Sequence, residues 1–70
     1  MPLSLVKTGR AVLVRKIGGK EETRKHLGSM GFVAGNTVTV VAELGGSLIV
    51  SVKNSRVAIS RELADKIFVA

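Results

Sequence analysis

The sequence predicts a mainly β protein: a small, closed or nearly closed barrel of about five short strands, with one short inserted helix and a C-terminal helical turn. Three observations favour this fold. The apolar segments, rich in Val, Leu and Ile, are short, and glycine occurs eight times between or beside them against a single proline. Only two stretches carry helix signals, and both are short. A barrel also hides the sheet edges that an open sheet of short strands would expose.

The length of 70 residues predicts one domain, residues 1–70, with a small core and a net stability of roughly 3–5 kcal/mol. The absence of cysteine excludes disulfides and thiol catalysis and gives no sign of an oxidising compartment. No segment resembles a signal peptide, and no apolar run approaches the ~20 residues that span a bilayer. We therefore expect a cytoplasmic protein with no direct membrane insertion.

The first strand is predicted at residues 11–17, a β-rich run that ends at a pair of glycines. Adjacent Arg15 and Lys16 interrupt its alternation of apolar and polar residues. We therefore expect a bulge or an edge position at that point.

The inserted helix is predicted within residues 21–32, where acidic residues lead and basic residues follow, as the helix dipole favours. Gly31 is expected to end this helix in the left-handed conformation, with Phe32 folding back onto it. Gly35 is expected to take the positive-φ position of a type II turn. The residues that share one face of the predicted helix are Thr23, Leu27 and Met30.

Two hairpins are predicted next, and burial of apolar faces decides the register of the first. A two-residue loop at residues 45–46 would pair Leu44 with Ser47 and put the apolar residues of the two strands on opposite faces. A three-residue loop at residues 45–47 would pair Leu44 with Leu48 and put them on one face. We therefore expect the three-residue loop.

The second hairpin is predicted to turn at residues 54–55 and to pair Val52 with Val57. Ser60 is then expected to cap a single helical turn over residues 61–66. Residues 67–69 are expected to form the last short strand.

The side chains that catalysis or metal binding would need are scarce. His26 is the only histidine, and no Ser or Asp near it has a spacing typical of a catalytic triad. Glu22 and His26 stand at i and i+4 and offer at most a weak pair of metal ligands. The glycine-rich segments complete no phosphate-binding motif. We therefore expect no enzyme activity, no metal site, no cofactor and no small-molecule substrate.

The net charge of +6 arises from eleven basic and five acidic residues. Such an excess attracts anionic partners, which include nucleic acids, membrane surfaces and acidic proteins, and it also serves solubility. The chain has no Tyr or Trp on which bases could stack, so nucleic acid is not the expected partner. A barrel that binds phosphate groups alone stays open as an alternative.

The residue pattern extends over nearly the whole chain. It includes Leu27–Gly35 at the predicted helix exit and Ile59–Val69 at the end, together with earlier positions: Leu5, Gly9, Val14, Ile17, Val38 and Val40. This pattern resembles the FeoA family, the small cytoplasmic component of bacterial ferrous iron transport. The same barrel occurs as the C-terminal domain of DtxR-type repressors. Two positions depart from the family pattern: Ala34, where proline is usual, and His26, where Arg or Lys is frequent.

The resemblance implies an SH3-like barrel without a bound cofactor that supports FeoB, a large membrane permease with a GTP-binding domain on its cytoplasmic side. The alternatives are a basic nucleic-acid-binding barrel and a regulatory module related to metal-dependent repressors. Such a repressor also needs a winged helix, for which 70 residues leave no room.

The inserted helix is the predicted docking element for the partner, because Arg24 and Lys25 lie opposite Leu27. Met30 is the nearest apolar anchor, since Phe32 is expected to be buried. A solvated helix face without function is the alternative interpretation. A second basic cluster is predicted on the barrel: Arg15, Lys16, Lys53 and Arg56.

Overall fold

Five antiparallel strands form one sheet in the order β4-β3-β2-β1-β5. The computed structural model describes all 70 residues. The strands are β1 (Ala11–Ile17), β2 (Thr37–Leu44), β3 (Ser47–Val52), β4 (Ser55–Ser60) and β5 (Ile67–Val69). Helix α1 (Glu21–Ser29) is inserted between β1 and β2, helix α2 (Arg61–Ala64) connects β4 to β5, and a 3₁₀ turn (Leu3–Leu5) precedes β1. The mainly β architecture with an inserted helix is confirmed.

The core is a single cluster of fifteen buried residues, all of them apolar. Strand β3 shows how the sequence builds it, because every second residue points inward and is buried: Leu48, Val50 and Val52. Leu27 from α1 and Leu3 from the 3₁₀ turn close the core from outside the sheet, and both are fully buried. The 3₁₀ turn was not predicted from the sequence.

Strand β1 has the predicted boundaries and contains the predicted bulge. Val14 pairs with Val69 and Lys16 pairs with Phe68, so Arg15 is the extra residue on β1. Because of this extra residue, Val14 and Ile17 both face the core side while Arg15 and Lys16 stay exposed.

The exit of α1 has the geometry that its glycine predicted. The N–H of Phe32 donates to the carbonyl of Leu27 at 3.1 Å, and the N–H of Gly31 donates to the carbonyl of Gly28 at 3.0 Å. Gly31 has a φ of 101°, which completes a Schellman motif, and Phe32 is buried. Gly35 has a φ of 96° in the following turn, as predicted.

The β2–β3 hairpin differs from the prediction. Leu44 pairs with Ser47 across a two-residue loop, and Gly45 takes a φ of 59° there. The expected pairing of Leu44 with Leu48 is wrong because β2 does not alternate without interruption. The register shifts between Val40 and Ala42, which places a bulge at Val41.

The bulge explains how apolar burial is kept with the shorter loop. Val40 pairs with Val50 inside the barrel, and the extra residue turns the end of β2 over so that Leu44 faces outward. Leu44 is 65% exposed, whereas Leu48 is 1% exposed.

The β3–β4 hairpin turns one residue earlier than predicted. Lys53 and Asn54 both have positive φ, 47° and 66°, as a type I′ turn requires. Val52 therefore pairs with Ser55, and Val50 pairs with Val57. The predicted pairing of Val52 with Val57 is wrong, but each residue keeps its face because the pairing moves by two residues.

Helix α2 begins as predicted and ends sooner. The Ser60 side chain accepts a hydrogen bond from the N–H of Leu63 at 3.1 Å, which confirms it as the N-cap. The helix ends at Ala64 rather than at residue 66, and β5 then follows at the predicted residues.

Candidate partner-binding surfaces

Helix α1 presents the two predicted cations to solvent. Arg24 and Lys25 are both exposed, while Leu27 is buried against the barrel. The Nζ of Lys25 lies 3.5 Å from Oε1 of Glu21, and both side chains are largely exposed, so this salt bridge is weak. Arg24 has no carboxylate within 4 Å. On α1, Glu21 therefore partly neutralises the charge of Lys25, whereas Arg24 has no carboxylate partner.

The apolar residues at the helix exit divide between core and surface. Met30 is half-buried and packs against the core, so only part of it is available as an anchor. Phe32 is buried, as the sequence indicated. Val33 follows it and is 47% exposed. Val33 was not predicted as a surface residue. Its place directly after Phe32, the residue that folds back into the core, is a signal for exposure.

The second basic cluster lies toward one end of the sheet. Strand pairing puts Leu13 beside Thr37 and Val38 beside Val52, so the end of β1 and the β3–β4 turn lie at the same end of the sheet. The Nζ of Lys16 lies 5.4 Å from the centre of the Phe68 ring.

Lys53 is brought to the exit of α1. A Cβ placed on Gly31 would lie 3.9 Å from Cδ of Lys53, so the stem of this lysine passes beside the helix C-terminus. The structure therefore places Lys53 near the end of α1, where Met30 precedes Gly31 in the chain. Arg15 and Arg56 are exposed on their strands.

Most of the positive charge has no partner within the chain. Arg61 pairs with Glu43 and Lys25 pairs with Glu21, and these are the only salt bridges. The other nine of the eleven Lys and Arg residues have no carboxylate within 4 Å. The surface therefore carries a positive field that extends well beyond α1.

One surface cleft, of about 160 Å³, lies where the two ends of the chain meet. We call it the terminal cleft. Its two polar side chains are Lys7 and Arg10, and the other five lining residues have apolar side chains: Met1, Leu5, Val6, Val12 and Ala70. The sequence did not predict this site, because it forms only when β5 pairs with β1.

Residues that could hold a metal do not cluster. No three His, Cys, Asp or Glu side chains come together closely enough to share an ion. His26 is exposed on α1, one turn from Glu22. Neither α1 nor α2 has the length and apolar character of a membrane-spanning helix.

Comparison with known proteins shows a family match over the whole chain. The family model described as the FeoA domain matches residues 1–70. A protein of Methanocaldococcus jannaschii, provisionally named Fe(2+) transport protein A, is 40% identical over 68 residues, which are 97% of this chain and 83% of that protein.

Crystal structures agree with this assignment. A structure of an iron uptake regulatory protein, FeoA, superposes with a TM-score of 0.90 at 38% identity and covers 99% of this chain and 92% of its own. The FeoA of Stenotrophomonas maltophilia, complexed with zinc and described as an SH3 domain protein, superposes with a TM-score of 0.87 at 28% identity over 100% of this chain and 89% of its own. The predicted SH3-like barrel is thereby confirmed.

The barrel also occurs inside a larger regulator, as the resemblance implied. A manganese-dependent transcriptional repressor shares the fold with a TM-score of 0.90 at 19% identity, over 100% of this chain and 40% of the repressor. That similarity concerns the fold alone. The match of the FeoA domain to all 70 residues, together with the 40% identical relative, shows that the chain belongs to the FeoA family.

Proposed function

We propose that this protein is a cytoplasmic accessory component of ferrous iron transport, a single FeoA-like domain that binds the GTP-binding part of a FeoB-type membrane permease. The observation that carries the proposal is the match of the FeoA domain to residues 1–70, supported by a 40% identical relative named for Fe(2+) transport. The FeoA of Stenotrophomonas maltophilia has been described as a candidate activating factor of bacterial ferrous iron transport. On this proposal the protein acts by binding and performs no catalysis.

The charge distribution supports association with an acidic surface. Nine Lys and Arg residues have no carboxylate within 4 Å, so no ion pair within the chain neutralises their charge. Unpaired surface cations steer an acidic partner during diffusional encounter and raise the association rate, and salt weakens this effect.

The docking surface that we propose is the exposed side and the exit of α1. Arg24 supplies a free cation, and Lys53 adds another where its stem passes Gly31. Half-buried Met30, directly before Gly31, and exposed Val33, two residues after it, supply apolar area at the helix exit. A docking surface needs such a combination, because charge orients the partner and buried apolar side chains hold it.

The remaining cations of the second cluster form an alternative docking surface. Arg15 and Arg56 are exposed and have no ion pair. Lys16 contributes less, since it already lies over the ring of Phe68.

The direct test is a binding measurement between the full chain and the soluble GTP-binding domain of the permease. Biolayer interferometry, with the domain empty, bound to GDP or bound to a GTP analogue, should show saturable association that weakens as salt increases. A basic protein of similar size and charge serves as the control for simple charge attraction. Absence of saturable binding in all three nucleotide states, or tighter binding of RNA than of the domain, would exclude the proposed partner.

A further inference from the structure

The terminal cleft has the properties of a second binding site. We propose that it binds an acidic peptide segment, with one apolar side chain of that segment inserted into the cleft and flanking carboxylates placed against Lys7 and Arg10. This inference goes beyond the proposed function and does not depend on the identity of the permease.

Two large apolar side chains stand exposed at the cleft. Met1 is 60% exposed and Leu5 is 64% exposed. Hydrogen bonds hold the backbone of both residues in place. The amino group of Met1 donates to the carbonyl of Val69 at 3.1 Å, and the N–H of Val69 donates to the carbonyl of Met1 at 2.8 Å. Water therefore contacts apolar surface that the fold holds in place, and covering that surface is favourable.

Leu5 is held outward by the 3₁₀ turn. The N–H of Leu5 donates to the carbonyl of Pro2 at 3.1 Å, and the N–H of Val6 donates to the carbonyl of Leu3 at 3.0 Å. Leu3 is fully buried and anchors the turn in the core. An apolar residue held in an ordered turn loses little conformational entropy when a partner covers it.

The size of the cleft suits one side chain. The cleft measures about 160 Å³, and Val6 and Val12, both buried core residues, lie at its base. A space of about 150 Å³ accommodates a benzene-sized group. Sites for drug-sized ligands are larger, at about 300–1,000 Å³. The cleft therefore fits a Phe or Leu side chain better than a whole small molecule.

The two cationic residues of the cleft belong to one tight turn, so their backbones lie close together. The N–H of Arg10 donates to the carbonyl of Lys7 at 3.2 Å, and Gly9 has a φ of 89°, so residues 7–10 form a type II turn. The N–H of Gly9 donates to the carbonyl of Val40 at 2.7 Å, which ties this turn to β2. Neither cation has a carboxylate within 4 Å, and no acidic side chain lines the cleft.

These observations select the chemistry of the occupant. Two neighbouring cations repel each other, and carboxylates placed beside them would relieve that repulsion. A second copy of this chain carries the same charge of +6 and is repelled. A phosphate backbone would satisfy Lys7 and Arg10 but would leave Met1 and Leu5 exposed. An acidic segment with one apolar residue satisfies both parts of the cleft.

The probe for this proposal is a capped synthetic tetrapeptide, Asp-Phe-Glu-Glu, titrated into the ¹⁵N-labelled full chain and followed by amide chemical shifts. Two matched peptides separate the contributions: one has Asn and Gln in place of the acids, and the other has Ala in place of Phe. We expect saturable shifts at residues 5–12 and 70, and affinity roughly three- to tenfold weaker for each control peptide.

Variants of the protein test the roles of Lys7, Arg10 and Leu5 in peptide binding. Lys7→Gln with Arg10→Gln should weaken binding of the acidic peptide by about three- to tenfold and leave binding of the neutral peptide unchanged. Lys20→Gln with Lys66→Gln removes the same charge at two exposed, unpaired lysines outside every proposed docking surface, and should change the affinity by less than about twofold. Leu5→Ser should weaken binding of the Phe peptide and not that of the Ala peptide.

Three results would overturn the proposal. Equal losses in the two charge variants would mean that the peptide responds only to net charge. Shifts centred on α1 would place the site elsewhere. Shifts at the cleft that grow with protein concentration in the absence of peptide would make a second copy of the chain the occupant.

Discussion

Gly31 lies directly against Val52: a Cβ on Gly31 would stand 2.6 Å from Cγ1 of Val52, closer than nonbonded carbon atoms approach. Gly31 also has a φ of 101°. Gly35 has nearly the same backbone constraint, with a φ of 96°, but a Cβ there would have no atom within 4 Å. A side chain would therefore strain the backbone at both positions, but only at Gly31 would it also overlap a neighbouring side chain.

Replacing each glycine with alanine should separate these two effects. Gly35→Ala is expected to lower the free energy of unfolding by about 1–2 kcal/mol, because only backbone strain is introduced. Gly31→Ala should lower it by a further ~1–3 kcal/mol, because the new methyl group overlaps the side chain of Val52. Urea denaturation monitored by circular dichroism measures both changes.

A double-mutant cycle identifies Val52 as the cause of the difference. Val52→Ala alone is destabilising because it leaves a cavity in the core. In combination with Gly31→Ala, the truncated side chain provides the missing space, so the combined loss should be smaller than the sum of the separate losses. Additive losses, or equal costs for the two glycine variants, would contradict the contact between Gly31 and Val52.

Leu44 and Leu48 differ in burial, and their variants test the register of the first hairpin. Leu48→Ala should lower the free energy of unfolding by about 2–5 kcal/mol, because Leu48 is fully enclosed in the core. Leu44→Ala should change it by less than about 0.5 kcal/mol, since Leu44 is 65% exposed. Comparable losses at both positions would instead favour the three-residue loop that apolar alternation predicted.

Local chemistry explains what the sequence could predict about the fold. Gly31 needs a positive φ, and the Ser60 side chain caps the N–H of Leu63, so each signal and the structure that it specifies lie within a few residues of one another. The bulge at Val41 has no such signal, because it lets β2, the longest strand, bend around a small barrel.

The same distinction applies to the candidate sites. The cations of α1 could be predicted to be exposed because they are adjacent in a short helical segment whose buried residue is Leu27. The terminal cleft depends on contacts between residues 1–12 and Ala70, and the periodicity of a single segment contains no information about such contacts. The passage of Lys53 beside Gly31 and the position of Lys16 over Phe68 are likewise contacts between distant segments, which the sequence did not predict.

The isolated protein should bind ferrous or zinc ion only weakly. The one histidine offers a single nitrogen ligand on an exposed helix, and no group of three potential ligands exists to complete a site. Anaerobic calorimetry with ferrous ion, and calorimetry with zinc ion, should show no stoichiometric site of sub-micromolar affinity.

A control variant makes the metal measurement specific. Any weak heat signal should disappear in His26→Ala, because Glu22 and His26 form the best ligand pair on α1. Zinc belongs in this measurement because the Stenotrophomonas maltophilia relative was crystallised with that metal. A tight, stoichiometric site that survives His26→Ala would contradict the prediction.

Charge reversal on α1 tests whether this helix contacts the permease. Arg24→Glu together with Lys25→Glu should weaken binding to the GTP-binding domain by about tenfold and reduce its salt dependence, because an acidic partner surface would then meet like charge. The free energy of unfolding should change by less than about 1 kcal/mol, since both residues are exposed. Binding kinetics at two salt concentrations, with urea denaturation of the variant, supply both measurements.

The matched control for that variant is Arg15→Glu with Arg56→Glu, which makes the same change of charge on the strands. If α1 is the docking surface, the control should lose less affinity than the α1 variant, because only long-range attraction is weakened. Arg24→Glu alone should lower the affinity more than Lys25→Glu alone, since Lys25 is already paired with Glu21. An α1 variant that binds with the affinity and salt dependence of the unaltered protein would exclude the helix. Greater loss in the strand variant would then assign docking to the surface around Arg15 and Arg56.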